Sequence, residues 1–161
     1  SPAARDALYA HMATLNKKAG EAVRSAGNVH ACTDVTGFGL LGHSYEMAQG
    51  SGMSLHIESR KVPFHPEALE MAAMGFIPAG AYRNRDYAGA GVARAGEISR
   101  ALEDIFYDPQ TSGGLLIAVA EKDAQACLDA LRQEIPAAAQ IGYVTERAQN
   151  WIILELSLIH I

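Results

Sequence analysis

Apolar residues return at every third or fourth position near the start of the chain, at Ala4, Leu8, Met12, Leu15 and Ala19, which predicts a helix over residues 2–26. Pro2 suits its first turn, and Gly27-Asn28 is expected to stop it. Val29 to Asp34 reads as a short strand running into a Thr36-Gly37-Phe38-Gly39 turn. A second helix is expected over 38–49, with Leu41, Tyr45 and Ala48 facing inward and Gly50-Ser51-Gly52 ending it. From Met53 to Glu58, apolar Met53, Leu55 and Ile57 alternate with polar neighbours, the period of a half-buried strand.

Pro63 and Pro66 mark a break before a helix over 67–74 that ends near Gly75. Residues 77–96, rich in Gly, Ala, Asn and Arg, read as a long loop of a kind that is often functional or partner-facing. A short helix over 97–106, a loop over 108–114 and a buried strand over 115–120 follow. A helix is then expected over 122–133, with Ala126, Leu128, Leu131 and Ile135 inward. Strands at 140–145 and 151–156 are expected to pair as a hairpin across 146–150. Helices and strands mix without strict alternation, which favours an α+β fold: a mixed sheet of about four or more strands flanked by helices.

With 161 residues, 49% of them hydrophobic and 19% charged, the chain is long enough for one domain with a proper core and too apolar for disorder. The longest clean apolar run, Leu115 to Ala120, falls far short of the ~18 residues of a membrane span, so no membrane association is expected. Eighteen acids against thirteen Lys and Arg give a net charge of −5, which argues against a nucleic-acid partner. Two cysteines, Cys32 and Cys127, form no CxxC, and the N-terminus lacks a secretory signal; both fit a cytoplasmic protein. The first residue is not Met, so a fragment is expected, with residues 1–156 as a single domain and 157–161 as a non-native tail.

Two stretches carry candidate chemistry. In the first, Thr33 to Gly42, Asp34 ends a strand just before a glycine turn into a helix. A carboxylate there is a hard oxygen ligand where magnesium-bound phosphates often sit, and Thr36 is the expected N-cap of the helix. A structural reading stands beside it, in which Asp34 braces the turn and the glycines allow close packing. Gly37, Gly39 and Gly42 also spell GxGxxG, with Glu58 at the end of the next strand, the dinucleotide-binding fingerprint. Against that reading, the preceding strand is polar, Asp34 would repel a pyrophosphate, and no further βα repeats follow.

The second stretch, Asp108 to Gly114, packs an acid, an amide, two hydroxyls and two glycines ahead of a strand. Gln110, Thr111, Ser112, Gly113 and Gly114 could cradle an oxyanion, although a demanding turn held by side-chain hydrogen bonds explains the composition as well. It is no P-loop, because no Lys follows the glycines. Cys32 as a thiolate nucleophile and Arg83, Arg85 and Arg94 as phosphate-steering groups are weaker candidates; a small buried thiol and a solvated loop are the plainer expectations.

Together, ACTDVTGFGLLGH and, roughly seventy residues later, YDPQTSGGLLIAV closely resemble the C-terminal domain of selenophosphate synthetases (selenide, water dikinases). These belong to the superfamily of aminoimidazole ribonucleotide synthetase. The resemblance covers Ala3 to about Glu155 and implies the C-terminal domain fold of that superfamily. It further implies production of selenophosphate from selenide, ATP and water, with release of AMP and phosphate and a need for Mg²⁺. An N-terminal ATP-binding domain, absent here, would carry most of the catalytic groups, and the full-length enzyme would be a homodimer. Asp34 matches the metal-binding aspartate of this half, with Thr33, Thr36 and Gln110 to Gly114 as possible phosphate-site support. No catalytic residue is implied within the fragment, which is expected to be inactive alone. The alternative is a stand-alone phosphate- or nucleotide-binding module without catalysis.

Overall fold

The computed structural model describes residues 2–25 and 28–156. Thirteen elements follow one another: α1 (Pro2–Met12), α2 (Lys17–Ser25), β1 (Val29–Asp34), α3 (Gly39–Ser51), β2 (Met53–Glu58), α4 (Ala68–Ala73), α5 (Ala79–Ala88), β3 (Val92–Ala95), α6 (Arg100–Phe106), β4 (Leu115–Val119), α7 (Ala124–Glu134), β5 (Gly142–Glu146) and β6 (Ile152–Glu155). Strands β1 and β4 form an antiparallel pair, and the other four form a mixed sheet in the order β3-β6-β2-β5. The expected α+β class with a mixed four-stranded sheet is therefore observed.

The core follows from the periodicities. In β2, Leu55 and Ile57 point to one face and meet Ile152 and Leu154 of β6. Across that face lies α3, which buries Leu40, Leu41 and Ala48; Ala81 and Ala88 of α5 and Phe106 with Tyr107 close the cluster. Helix α3 runs two residues past the expected 49 and ends within the expected glycine stop, at Gly52, which takes the left-handed conformation (φ 67°). Among the described residues no helix is long and apolar enough to cross a membrane.

Several expectations are corrected. The first helix is broken: Thr14 returns its hydroxyl to the Ala10 carbonyl (2.9 Å) and its N–H to His11 (2.9 Å), and the chain restarts at α2. Nothing in the core holds one straight helix together, because Leu8, Met12 and Leu15 are exposed while Ala19 is buried. Residues 26 and 27, at the expected helix end, and the expected tail 157–161 lie outside the described residues.

The 77–96 stretch is not a loop. It holds α5 and β3, entered through Pro78, and α5 packs through Ala81, Asn84 and Ala88, residues too small or polar to signal a buried face. The last two strands are not a hairpin, since β2 lies between them, antiparallel to β5 and parallel to β6. The connection crosses the end of β2, where buried Ser54 donates to the Asn150 carbonyl (2.7 Å) and accepts from the Ala148 N–H (2.8 Å). Strand β4 is half-buried throughout rather than buried, having β1 as its one strand neighbour. In α7 it is Cys127, not Ala126, that is buried.

Beside β2 the strands leave no room at Gly142. A Cβ there would strike the His56 carbonyl and stand 3.2 Å from Ile57 Cα, both backbone atoms of a central strand. Gly142→Ala is therefore expected to lower stability by about 1–3 kcal/mol, measured by urea denaturation; an unchanged midpoint would contradict this packing.

Candidate functional site

Pairing of β1 with β4 reaches Asp34 opposite Leu115, but the hydrogen bonding does not stop there. The Val35 N–H donates to the Gly114 carbonyl and the Gly113 N–H to the Val35 carbonyl, both at 3.0 Å. The Thr36 carbonyl then accepts from Gln110 N–H and Gly39 N–H, each at 3.0 Å. The two motifs, far apart in sequence, are thus joined through their backbones into one ledge. Tight approaches explain its glycines. Gly39 has φ 71°, and a Cβ on it would lie 2.8 Å from the Asp108 carbonyl oxygen. Gly113 is covered by the Gln110 side chain and faces the Val35 carbonyl. Ser112 holds φ 51°, a conformation that costs free energy for a residue with a side chain and is common at functional turns.

From beneath, Asn84 of α5 ties both motifs together. Its buried amide donates to the Gly37 carbonyl (2.9 Å) and to the Tyr107 carbonyl (2.8 Å). Sequence reasoning passed over Asn84 as a loop residue; the Ala81, Asn84, Ala88 spacing on one helical face was the available signal. Arg85 and Arg94 do not reach the ledge. Arg85 meets Asp104 at 2.6 Å, and Arg94 grips buried Glu103 through two bonds of 2.8 Å. Arg83 is exposed on α5. Beside this network Tyr107 is fully buried, and desolvation pushes its hydroxyl pKa up to about 12.

On the ledge itself, Val35 is buried while Asp34 is exposed and Thr36 half-buried, the alternation of an extended segment. Thr33 is half-buried and donates to the Asp34 carbonyl at 3.2 Å; Thr111 is exposed. Thr36 is not the N-cap. That position is Phe38, and no side chain caps α3. The Thr36 hydroxyl pairs instead with Nε2 of buried His43 at 3.1 Å. Within the second motif, the N–H groups of Gln110 and Gly113 are spent on Thr36 and Val35 and are not free to cradle an anion.

The dinucleotide reading fails on topology. Strands β1 and β2 lie in separate sheets, so no βαβ unit exists, and Glu58 is paired with Lys61 at 2.6 Å. Cys32 is exposed, not buried, yet partial desolvation and then the Asp34 carboxylate raise its pKa, which keeps the thiol protonated.

Among the described residues no three His, Cys, Asp or Glu side chains converge on a metal position. Asp34 can supply one hard oxygen ligand, which fits a magnesium ion that takes its other ligands from phosphates, water or another domain. Half-buried Asp108, at the start of the second motif, has its pKa raised by desolvation.

This arrangement defines a class: an α+β domain that presents one carboxylate on a ledge built from two glycine-rich motifs. Residues 4–154 match the family described as AIR synthase related protein, C-terminal domain, and the chain belongs to it. It is 48% identical over 146 residues to the selenide, water dikinase of Pelobacter propionicus, covering 90% of this chain and 42% of that protein. It is 46% identical over 150 residues to selenide, water dikinase 2 of Peptoclostridium acidaminophilum, covering 92% and 43%. The chain thus spans about two fifths of the length of these relatives. The fold is similar to that of the hydrogenase maturation protein HypE (TM-score 0.57, 21% identity, 88% of this chain and 38% of that one). It is similar to E. coli HypE as well (TM-score 0.58, 20% identity, 93% and 38%).

Two outcomes check this geometry. Asn84→Ala removes both bonds, strands the buried Tyr107 carbonyl and is expected to cost about 1–3 kcal/mol, with Asn84→Asp worse because a carboxylate would face both oxygens; chemical denaturation reads this. For Asp108, a pKa raised on folding means that the folded chain binds the proton more tightly, so ionising the group penalises folding above the ordinary carboxylate range. Asp108→Asn should therefore raise the melting temperature at pH 7, and the gain should vanish as the pH falls below the unfolded value of 3.8.

Proposed function

We propose that this chain is the C-terminal domain of a selenide, water dikinase, with residues 1–156 as a single domain. The whole enzyme would make selenophosphate from selenide, ATP and water and release AMP and phosphate. The observation that carries this reading is the joining of the two motifs into one ledge with Asp34 exposed at its edge. Identity of 44–48% to several selenide, water dikinases over most of the chain supports it.

In this reading Asp34 is a Mg²⁺ ligand, and the ion supplies charge neutralisation for phosphoryl transfer from ATP. The remaining residues act by placement. Gln110 and Gly113 clamp the backbone of Val35 and Thr36, Ser112 and Gly114 shape the turn, Thr33 and Thr36 flank the carboxylate, and Thr111 stands at the exposed rim. The domain holds one metal-ligating carboxylate of a site completed by an upstream ATP-binding domain, so the chain alone is inactive. Leu8, Tyr9, Met12 and Leu15, apolar residues left exposed among the described residues, support the presence of such a covering domain. The assembled enzyme is proposed to be a cytoplasmic homodimer.

Activity of the whole enzyme carrying this sequence is the test. Asp34→Asn should lower selenide-dependent AMP formation by about 10²-fold or more and raise the Mg²⁺ requirement, while the 161-residue chain alone should release no AMP. Full turnover by Asp34→Asn would remove the metal role, and AMP release by the isolated chain would contradict its dependence on a second domain.

A further inference from the structure

His43 lies one and a half turns into α3, buried, with its ring turned back toward the ledge. Three groups fix its state. The backbone N–H of Phe38 points at Nε2 from 3.4 Å, and a backbone N–H can only donate. Nε2 is therefore the acceptor nitrogen and the imidazole proton sits on Nδ1, which faces Glu46 Oε2 at 3.2 Å. The third group is the Thr36 hydroxyl, 3.1 Å from the same Nε2. A nitrogen without a proton leaves that hydroxyl one role there, that of donor. The Phe38 ring packs against the imidazole at 5.4 Å between centroids and adds no competing polar group.

The Thr36 proton is thus committed inward, and what remains for the ledge is a pair of oxygen lone pairs. A hydroxyl in that state accepts from metal-bound water or binds a cation; it has no proton left to donate to an unprotonated phosphate oxygen. We propose that His43 is a positioning residue that makes Thr36 an acceptor beside Asp34, so that Thr36 serves the divalent cation and not the phosphate. This rests on the reading of Asp34 as a metal ligand and assigns the hydroxyl two residues away a definite partner. Supporting groups of this kind typically change metal affinity by ~10–100-fold when lost.

The test uses the whole enzyme carrying this sequence, with Mn²⁺ alone and inorganic phosphate alone as probes. Long-range ¹H–¹⁵N correlation should show His43 as the Nδ1–H tautomer; the Nε2–H tautomer would overturn the inference. Mn²⁺ should broaden the amide signals around Asp34, and Thr36→Val should weaken this about tenfold, with Thr36→Ser restoring it and metal-free phosphate binding unchanged. His43→Gln should weaken the Mn²⁺ effect in the same direction. If Asp34→Asn abolishes broadening while Thr36→Val leaves it intact, or if Thr36→Val weakens phosphate binding instead, the inference fails and the Asp34 reading survives. Absence of broadening at Asp34 in the whole parent enzyme would overturn both.

Discussion

Everything proposed for this domain depends on a short run of backbone hydrogen bonds beyond the end of a two-stranded sheet. Three bonds among Val35, Thr36, Gln110, Gly113 and Gly114 hold one strand end against a loop from the other side of the chain, and a fourth, from Gly39 to Thr36, closes the turn. The constraint explains the composition of both motifs. Partners at backbone distance leave no space for a Cβ at Gly39 or Gly113, and the turn forces Ser112 and Gly114 to positive φ. A carboxylate at the tip of an otherwise frayed strand would wander; here Asp34 is anchored by the ladder on one side and by buried Val35 on the other.

The support is layered. Asn84 satisfies carbonyls of both motifs at once, so α5 cannot shift without breaking both bonds and leaving the Tyr107 carbonyl unpaired in the core. Beneath it, Arg85, Arg94, Glu103 and Asp104 form an internal charge network that closes on Tyr107. Buried carboxylates are expensive unless matched, and Glu103 and Asp104 are met by three guanidinium groups, those of Arg85, Arg94 and Arg100. A rigid base of this kind would suit the proposed role of Asp34, since positional error at a metal site is costly.

How much of this was legible beforehand depended on where side-chain chemistry carried the signal. Strand β2 was visible because large apolar residues alternate, and α3 because a glycine turn opens it and Leu41, Tyr45 and Ala48 share a face. The motif pair was visible as residue types, and the likeness it suggested agrees with the family match. Helix α5 was hidden because its buried face is Ala81, Asn84 and Ala88, which periodicity arguments do not weigh. The β5–β6 connection looked like a hairpin because adjacency in sequence says nothing of a strand from elsewhere lying between. Thr36 was misjudged as a cap since its true partner, His43, comes into reach only after α3 has turned back under the loop.

The account stands on the joined motifs behaving as one body. Amide hydrogen exchange resolved at Val35, Gln110 and Gly113 tests this most directly, because each of these N–H groups lies within the joint. Protection comparable to that of Leu55, whose N–H is bonded inside the four-stranded sheet, is the predicted result. Exchange at these three positions as fast as at exposed Thr111 would mean that the loop merely rests against the strand, and that Asp34 has no fixed place from which to hold a metal.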